Sequence, residues 1–388
     1  MTKIPRSKDN DYSNEIAQER RQFMNHMTGV EWEHVGQYSM DPSVFNGNTE
    51  HFTGVAQVPI GIAGPLLVNG EHAQGEFYIP LATTEGTLVA SYNRGMKITR
   101  EAGGIRVHVI EDKMNRAPVF AFENAGRARD FGAWVRENFD TLKELAESTT
   151  SSGKLTSIEQ FSASKMRWLR FNYQCGDAAG QNMVTKATKA ACDWILDQQS
   201  HGLEYFSLAG NLDTDKKHSY INYIHTRGKR VVAEIDIPNR LLQKHFRTSS
   251  DTLHMQRKVS NVGAIMGGSV NNGAHAANGV TALFIATGQD VANVAESSAA
   301  IVHAEVRSNG DYYFSVTIPS LIVATYGGGT ALPTQRECLE ALGCFGKGKV
   351  YKFAEIVAAT VLAGDLSLSA AIMADEWVTS HEQLGRNR

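Results

Sequence analysis

The sequence predicts a mixed α/β (α+β) fold in which a small domain is inserted into a larger one. Between residues 118 and 208, apolar segments follow one another in the order strand, helix, strand, strand, helix, strand. This order is typical of a split βαβ, or ferredoxin-like, unit. Strands and long apolar helices follow it, without an internal repeat or a low-complexity linker, and 388 residues suffice for two domains. We therefore expect a helical arm at 1–40, a large domain formed by 41–107 and 210–388, and a small inserted domain at 108–209.

Periodicity places the individual elements. In the arm, Ser13 is positioned to cap a helix whose Ile16, Phe23 and Met27 share one face, as in a dimer or packing arm. The elements expected in the small domain are a strand at 118–122, a helix at 127–146, strands at 155–161 and 166–173, a helix at 183–199 and a strand at 203–208. Those expected after it are a strand at 230–237, a Gly- and Ala-rich helix near 264–287, a strand at 313–318 and a long helix near 352–374.

Composition excludes several classes of function. A formal net charge of -3 gives no general attraction for nucleic acid. The N-terminal residues lack the apolar core of a secretory signal, and the apolar run at 356–374 carries Asp365, so we expect a soluble, cytoplasmic protein without a membrane span. The four cysteines form no CxxC pair and no HExxH occurs, so neither a disulfide framework nor a metal site is expected.

Four ionisable residues lie in unusually small or apolar surroundings, and each has an ordinary structural alternative. Glu85, before Gly86, is either a helix N-terminal residue or a partly desolvated proton donor. Lys216, in GNLDTDKK, belongs to a solvated turn or stabilises an oxyanion. Asp290 ends an apolar helix, against the helix dipole, and requires an offsetting partner such as a lysine. His381 is an idle tail residue or a proton donor to a leaving thiolate.

Two glycine-rich loops are candidates for ligand binding. GDAAGQN (176–182) precedes a helix, so its amides can meet a phosphate, although it lacks the GxGxxG spacing of the doubly wound dinucleotide fold. YGGGTALP (326–333) either lets a ligand approach the backbone closely or is only a turn.

Taken together and in order, these segments resemble the 3-hydroxy-3-methylglutaryl-CoA (HMG-CoA) reductase family over roughly residues 40 to 381. The matching strings are VPIGIAGPL, TTEGTLVAS, GDAAGQNM, GNLDTDKK, INYIHTRGKRVVAE, AHAANGVTA, GQD, GGGTALPTQ, LAGDLSLSAA and the SH of the tail.

The resemblance implies a soluble catalytic part that reduces an acyl-CoA thioester in two steps with NADPH or NADH, most simply HMG-CoA to mevalonate and CoA. It implies an acyl-CoA-binding large domain, a nicotinamide-binding small domain, and a homodimer or higher homo-oligomer with its active site at the subunit interface. The implied catalytic set is Glu85, Lys216, Asp290 and His381. The implied cofactor-binding set is Asp177, Ala178, Gly180, Gln181 and Asn182. The implied substrate-binding set is Arg106, Asp215, Lys217, Asn278, Asn93, Arg94, Lys97 and Lys258.

Three departures from the family pattern leave alternatives open. Lys258 is offset by one residue from the lysine that holds the substrate carboxylate in the family, and Ala209 replaces a serine. These changes allow a different acyl thioester as substrate. The stretch at 151–154 has Lys154 but no arginine for a 2′-phosphate, which leaves NADPH and NADH both open, as are the biosynthetic and degradative directions. A catalytically silent CoA-ester-binding paralogue is the alternative of a different class.

Overall fold

The computed structural model describes residues 3–198 and 202–373, and it has a large and a small unit that share one long strand. The helices are α1 (Asn14–Thr28), α2 (Leu88–Glu101), α3 (Ala125–Glu137), α4 (Phe139–Glu147), α5 (Gln181–Gln198), α6 (Tyr220–His225), α7 (Asn239–Phe246), α8 (Ser250–Met266), α9 (Ala276–Thr287), α10 (Val294–Ser297), α11 (Pro333–Ala341) and α12 (Val350–Met373). The strands are β1 (Ile60–Gly70), β2 (Gln74–Ala82), β3 (Ile105–Arg116), β4 (Val119–Phe122), β5 (Lys154–Ala163), β6 (Met166–Gln174), β7 (Leu203–Ser207), β8 (Gly228–Ile237), β9 (Ile301–Val306) and β10 (Tyr312–Leu321).

The arm is a helix with the predicted start. The side chain of Ser13 accepts a hydrogen bond from the amide of Ile16 and caps α1. Ala17 on the inner face of α1 packs in a small cluster with Phe45 and Phe52, whose rings stack 4.2 Å apart. The arm is therefore held against the segment that leads into β1.

The large unit is a sheet with helices packed on it. Its strands lie in the order β2-β1-β3-β8-β10-β9, in which β1 and β3 run parallel and the other neighbours antiparallel. The alternate residues of β8 are buried, and α12 packs against the sheet, α2 and α9. Helix α12 is long and apolar enough to cross a membrane, but 83% of its most apolar stretch is buried inside the protein. It is therefore a core helix, close to the bounds predicted for a long helix at 352–374.

The elements of the small unit follow one another along the chain in the predicted order. Its strands lie in the order β7-β4-β6-β5, with every neighbouring pair antiparallel, and α3, α4 and α5 complete the strand-helix-strand-strand-helix-strand path. Its buried side chains form a core separate from that of the large unit.

Three predicted boundaries differ by more than a few residues. The helix expected at 127–146 is two helices that meet at Asn138, a residue type that favours helix ends. The helix expected near 264–287 is broken after Met266, because Gly268 takes a left-handed conformation (φ 66°). The domain boundary expected at 107/108 falls inside β3, whose residues up to Lys113 pair with β8 of the large unit and whose last three residues pair with β6.

Candidate active site

Lys216 and Asp290 form an ion pair, with 2.8 Å between the lysine Nζ and the carboxylate Oδ2. Asp290 follows α9, which ends at Gly288 in a left-handed conformation, and its Oδ1 accepts the amide of Ala292. The lysine expected to offset the helix dipole at Asp290 is therefore Lys216. Both side chains remain about 40% exposed, at 43% and 40%, so the pair is open to a ligand.

The turn that carries Lys216 is held by charged side chains beneath it. Asp215 accepts from Gln181 Nε2 at 3.1 Å and pairs with Arg227 at 2.9 Å. Arg116 lies 2.6 Å from Asp213 and 3.6 Å from Asp215. These contacts tie the Lys216 turn to β3, β8 and the start of α5.

A pocket of about 450 Å³ lies beside this pair, and three sequence motifs line it. They are GDAAGQN at the start of α5, GQD after α9, and GGGT at 327–330. Gly288 and Gly329 touch closely, since a Cβ added to Gly288 would lie 2.2 Å from the carbonyl oxygen of Gly329. Asp290 lines the pocket, so the ion pair with Lys216 stands at its edge.

The pocket fits a dinucleotide. The first amides of an α-helix lack partners within the helix and point towards its N-terminal side, where they bind phosphate. Gly180 precedes α5 with a φ of 83°, and Gly327 and Gly328, also at positive φ, have open space where a Cβ would stand. A ligand can therefore approach the backbone closely at Gly327 and Gly328, on one side of the pocket, and meet the first amides of α5 on the other.

Four of the five predicted cofactor-binding residues line this pocket: Ala178, Gly180, Gln181 and Asn182. Asp177 has a different place, because its carboxylate accepts the amides of Gly348, Lys349 and Val350. It caps the start of α12 and so ties the GDAAGQN loop to the core helix.

Glu85 lies in a second pocket, of about 380 Å³, formed by the segment before α2 and one face of α9. Its carboxylate is exposed and accepts from Asn278 Nδ2 at 3.3 Å. Among the described residues, neither Lys216 nor Asp290 lines this pocket, so one chain holds the predicted catalytic residues in two places.

Helix α2 carries three residues of the predicted substrate-binding set. Asn93 and Lys97, one turn apart, are exposed on one face, and the Asn93 side chain accepts the amide of Gly64. Arg94 bonds to Ser367 of α12 and lies over the ring of Phe246.

Arg106 and Lys258 are also among the predicted substrate residues that are not brought to the Lys216–Asp290 pair. Arg106 pairs with Glu234 and Asp236 on β8, at the far end of β3. Ten residues of strand separate it from Arg116, which is about 33 Å at 3.3 Å per residue. Arg116, which the sequence analysis missed, is the arginine of β3 that reaches the site; its position two residues before the strand predicted at 118–122 was the available signal. Lys258 is exposed on α8.

Lys217 is exposed next to Lys216, with its Nζ 3.1 Å from the carbonyl oxygen of Asp215. His381 lies outside the described residues. Within the described residues, one cluster has the makeup of a metal site, Glu71, His72 and Glu355, but the buried Glu355 carboxylate already accepts three backbone amides.

Comparison with known proteins decides the family. The model of the hydroxymethylglutaryl-coenzyme A reductase family matches residues 16–386. The chain belongs to this family. A Methanocaldococcus jannaschii protein named 3-hydroxy-3-methylglutaryl-coenzyme A reductase is 45% identical over 389 residues, which cover 98% of this chain and 96% of that protein. The protein of the same name from Pyrococcus horikoshii is 46% identical over 375 residues, 95% of this chain and 91% of its own.

The fold agrees with solved structures. The class II 3-hydroxy-3-methylglutaryl-CoA reductase of Streptococcus pneumoniae, bound to NADPH in open conformations, superposes with a TM-score of 0.69 at 19% identity and covers 92% of this chain and 96% of its own. The resemblance, the α/β fold class and the assignment to an NAD(P)H-dependent reductase family are thereby confirmed.

Proposed function

We propose that this chain reduces HMG-CoA to mevalonate and free CoA with two equivalents of NADPH or NADH. The observation that carries the proposal is the Lys216–Asp290 ion pair, 2.8 Å long, at the edge of a pocket formed by three glycine-containing loops. A cation at that position can meet the negative charge that grows on a carbonyl oxygen during hydride addition. The relatives at 45% and 46% identity share one name, 3-hydroxy-3-methylglutaryl-coenzyme A reductase, and are similar to this chain over nearly their whole length.

The chain's own loops would hold the cofactor. The amides at the start of α5 and the open backbone at Gly327 and Gly328 would bind its phosphates, and the nicotinamide would face Asp290. When bound, the reduced nicotinamide supplies the hydride. Lys154, the basic residue considered for the 2′-phosphate of NADPH, is the first residue of β5 and pairs with Glu147 at 3.1 Å.

The protein groups have distinct tasks in the two reductions. Lys216 would stabilise the oxyanion after each hydride addition, first at the thioester carbonyl and then at the aldehyde. Between the two additions the carbon–sulfur bond breaks, and His381 would give a proton to the departing CoA thiolate. Glu85 would protonate the second oxyanion to give the alcohol. Asp290 would hold the Lys216 ammonium in place between the two steps.

The active site would be completed by a second copy of the chain. Glu85 lines one pocket, whereas Asp290, the partner of Lys216, lines another, so a site that uses both Glu85 and Lys216 requires either a large closure or a partner's Glu85. The apolar side chains exposed on α8 suit such an interface; they are Met255, Val259, Val262, Ile265 and Met266. We propose a homodimer, or a higher oligomer built from it, that acts in the cytoplasm.

The test is a spectrophotometric assay of the purified protein with HMG-CoA that follows loss of NADPH and of NADH in parallel. We expect two nicotinamides oxidised per mevalonate formed. Turnover of another acyl thioester but not of HMG-CoA would assign a different substrate to this chain, a result that the one-residue offset of Lys258 allows. Tight binding of HMG-CoA without turnover of any acyl thioester would replace the proposal with the silent paralogue.

A further inference from the structure

The strongest feature that the proposed reaction leaves unused is a fully buried ion pair directly behind Lys216. The side chains of Glu296 and Arg227 are both 0% exposed. The guanidinium NH1 lies 2.9 Å from Oε1 and 2.7 Å from Oε2 of the carboxylate. Taking both charges out of water is costly, so a pair of this kind needs a compensating arrangement around it.

The Glu296 carboxylate has a third contact, which points at the site. Its Oε1 accepts a hydrogen bond from the backbone amide of Lys216. Lys216 has a φ of 57°, in the left-handed region that L residues other than glycine rarely adopt. The buried carboxylate therefore holds the backbone of Lys216 in a conformation that the residue would not choose by itself.

Arg227 carries the restraint to the neighbouring residue. Its NH2 lies 2.9 Å from Asp215 Oδ1, and its own amide donates to Ser320 Oγ at 3.0 Å. Asp215 also binds Gln181, whose amide donates to Asn293 at 2.9 Å. The pair thus connects the Lys216 turn to two of the three loops that form the dinucleotide pocket, GDAAGQN and the segment after GQD.

Glu296 and Asp290 belong to one short segment. Asp290 caps the turn at Val291–Asn293, and α10, which carries Glu296, follows at once. That segment therefore contacts Lys216 at two points: Glu296 accepts a hydrogen bond from its backbone amide, and Asp290 pairs with its side-chain ammonium.

We propose that Glu296 is a positioning residue for the reduction: through the Lys216 amide and through Arg227 it fixes the direction in which the Lys216 ammonium points. The inference rests on the proposed function, because the reduction is the reaction in which Lys216 would act. Burial raises the pKa of Glu296 to about 7, and the charge of Arg227 opposes that rise.

The alternative is that Glu296 only stabilises the fold. Two variants separate the readings. Glu296→Gln keeps an oxygen that can accept the Lys216 amide, whereas Glu296→Leu removes both the oxygen and the charge. Asp11→Leu is the control, because it removes a carboxylate from the buried Arg20 in the N-terminal arm, away from Lys216.

The experiment measures kcat and KM at a temperature where circular dichroism shows each protein folded. We expect kcat to fall about 10-fold in Glu296→Gln and at least 100-fold in Glu296→Leu, with the KM for HMG-CoA and for NADPH within about twofold of the parent. Asp11→Leu should keep its kcat within about twofold. A lowered Tm with unchanged kcat in both Glu296 variants would overturn the proposal and leave a structural role.

A second readout does not depend on turnover. Acetylation of Lys216 by acetic anhydride, followed by peptide mass spectrometry and expressed relative to Lys244, reports how firmly the ammonium is held on Asp290. We expect Lys216 to react at least threefold faster in Glu296→Leu than in the parent, and an unchanged ratio would count against the proposal. If the parent protein shows no reductase activity, the proposed function fails, while this ratio still tests whether Glu296 positions Lys216.

Discussion

Replacing Lys216 by methionine tests the proposed site most directly, because the change keeps the length of the side chain and removes its charge. In the protein without substrate, the loss of stability should be small. Both partners of the Lys216–Asp290 pair are about 40% exposed, at 43% and 40%, and ion pairs of such exposure contribute roughly 0–1 kcal/mol to stability. We therefore expect the free energy of unfolding to change by no more than about 1 kcal/mol.

The loss of transition-state stabilisation should be much larger. Two unit charges about 4 Å apart attract by about 4 kcal/mol at the effective dielectric constant of a protein surface. Part of that attraction is screened by water at this half-exposed site, which leaves about 3 kcal/mol for the developing oxyanion. Since 1.36 kcal/mol corresponds to a tenfold change in rate, kcat should fall by about 10²-fold.

The assay is the initial rate of NADPH oxidation with saturating HMG-CoA, with urea unfolding measured on the same samples. Lys244→Met is the matched control, because Lys244 is an exposed lysine paired with Glu101 at 3.1 Å and lies outside both pockets. A Lys216→Met protein that keeps more than about a third of the parent kcat would refute the oxyanion role. A large loss of stability in that variant would show that the ion pair is structural.

The remaining predictions concern the subunit interface, the arginines of β3 and a buried histidine. Subunits carrying Glu85→Gln or Lys216→Met should be nearly inactive alone, but co-expressed they should recover about a quarter of the parent activity if each site takes Glu85 from one copy and Lys216 from the other; no recovery would contradict the shared site. Arg116→Met should lower kcat/KM for HMG-CoA at least 10-fold, because it uncouples Asp213 and Asp215, whereas Arg106→Met should change it less than twofold, and equal effects would mean that the geometry of β3 does not matter to the site. Burial lowers the pKa of His275 to about 4 from an ordinary 6.5, so its contribution to stability is present above pH 6.5 and is lost as the pH falls towards 4. The difference in unfolding free energy between the parent and His275→Gln should therefore shrink by about 2 kcal/mol from pH 7.5 to pH 5. The comparison with the variant is needed because burial raises the pKa of Asp365 and of Glu296, which changes stability with pH in the opposite direction. An equal difference at both pH values would contradict the prediction.

The sequence predicted those features whose parts are close together in the chain. The small unit is a run of consecutive elements, so the periodicity of each segment was enough to predict its order, and the GDAAGQN loop was predicted to open a helix because its glycines and the helix adjoin. The break at Asn138 was missed because an apolar period continues across it. The break at Gly268 lies in GGSVNNG (267–273), a turn-rich string whose signal the prediction of one helix near 264–287 overlooked. Asp177 was assigned to the cofactor from its motif, but its partners, the amides of 348–350, lie about 170 residues away in the chain.

The arginines of β3 show why the rest of the site needed the fold. Arg106 and Arg116 are ten residues apart, an even number, so regular alternation would place both on one face of a strand and cannot choose between them. In the structure a register shift between Val109 and Glu111 reverses the faces beyond it, so the two arginines project from opposite faces. What decides is where β3 passes from one sheet to the other: Arg106 pairs with β8 inside the large unit, and Arg116 pairs with β6 at the junction, beside the Lys216 turn. The same holds for Glu296 and Arg227, which are 69 residues apart and meet behind Lys216 only because α10 packs against β10 and β8 pairs with it. Short motifs thus identify the groups that meet the substrate, whereas the charges that hold those groups in position come from distant segments and can be found only after the chain has folded.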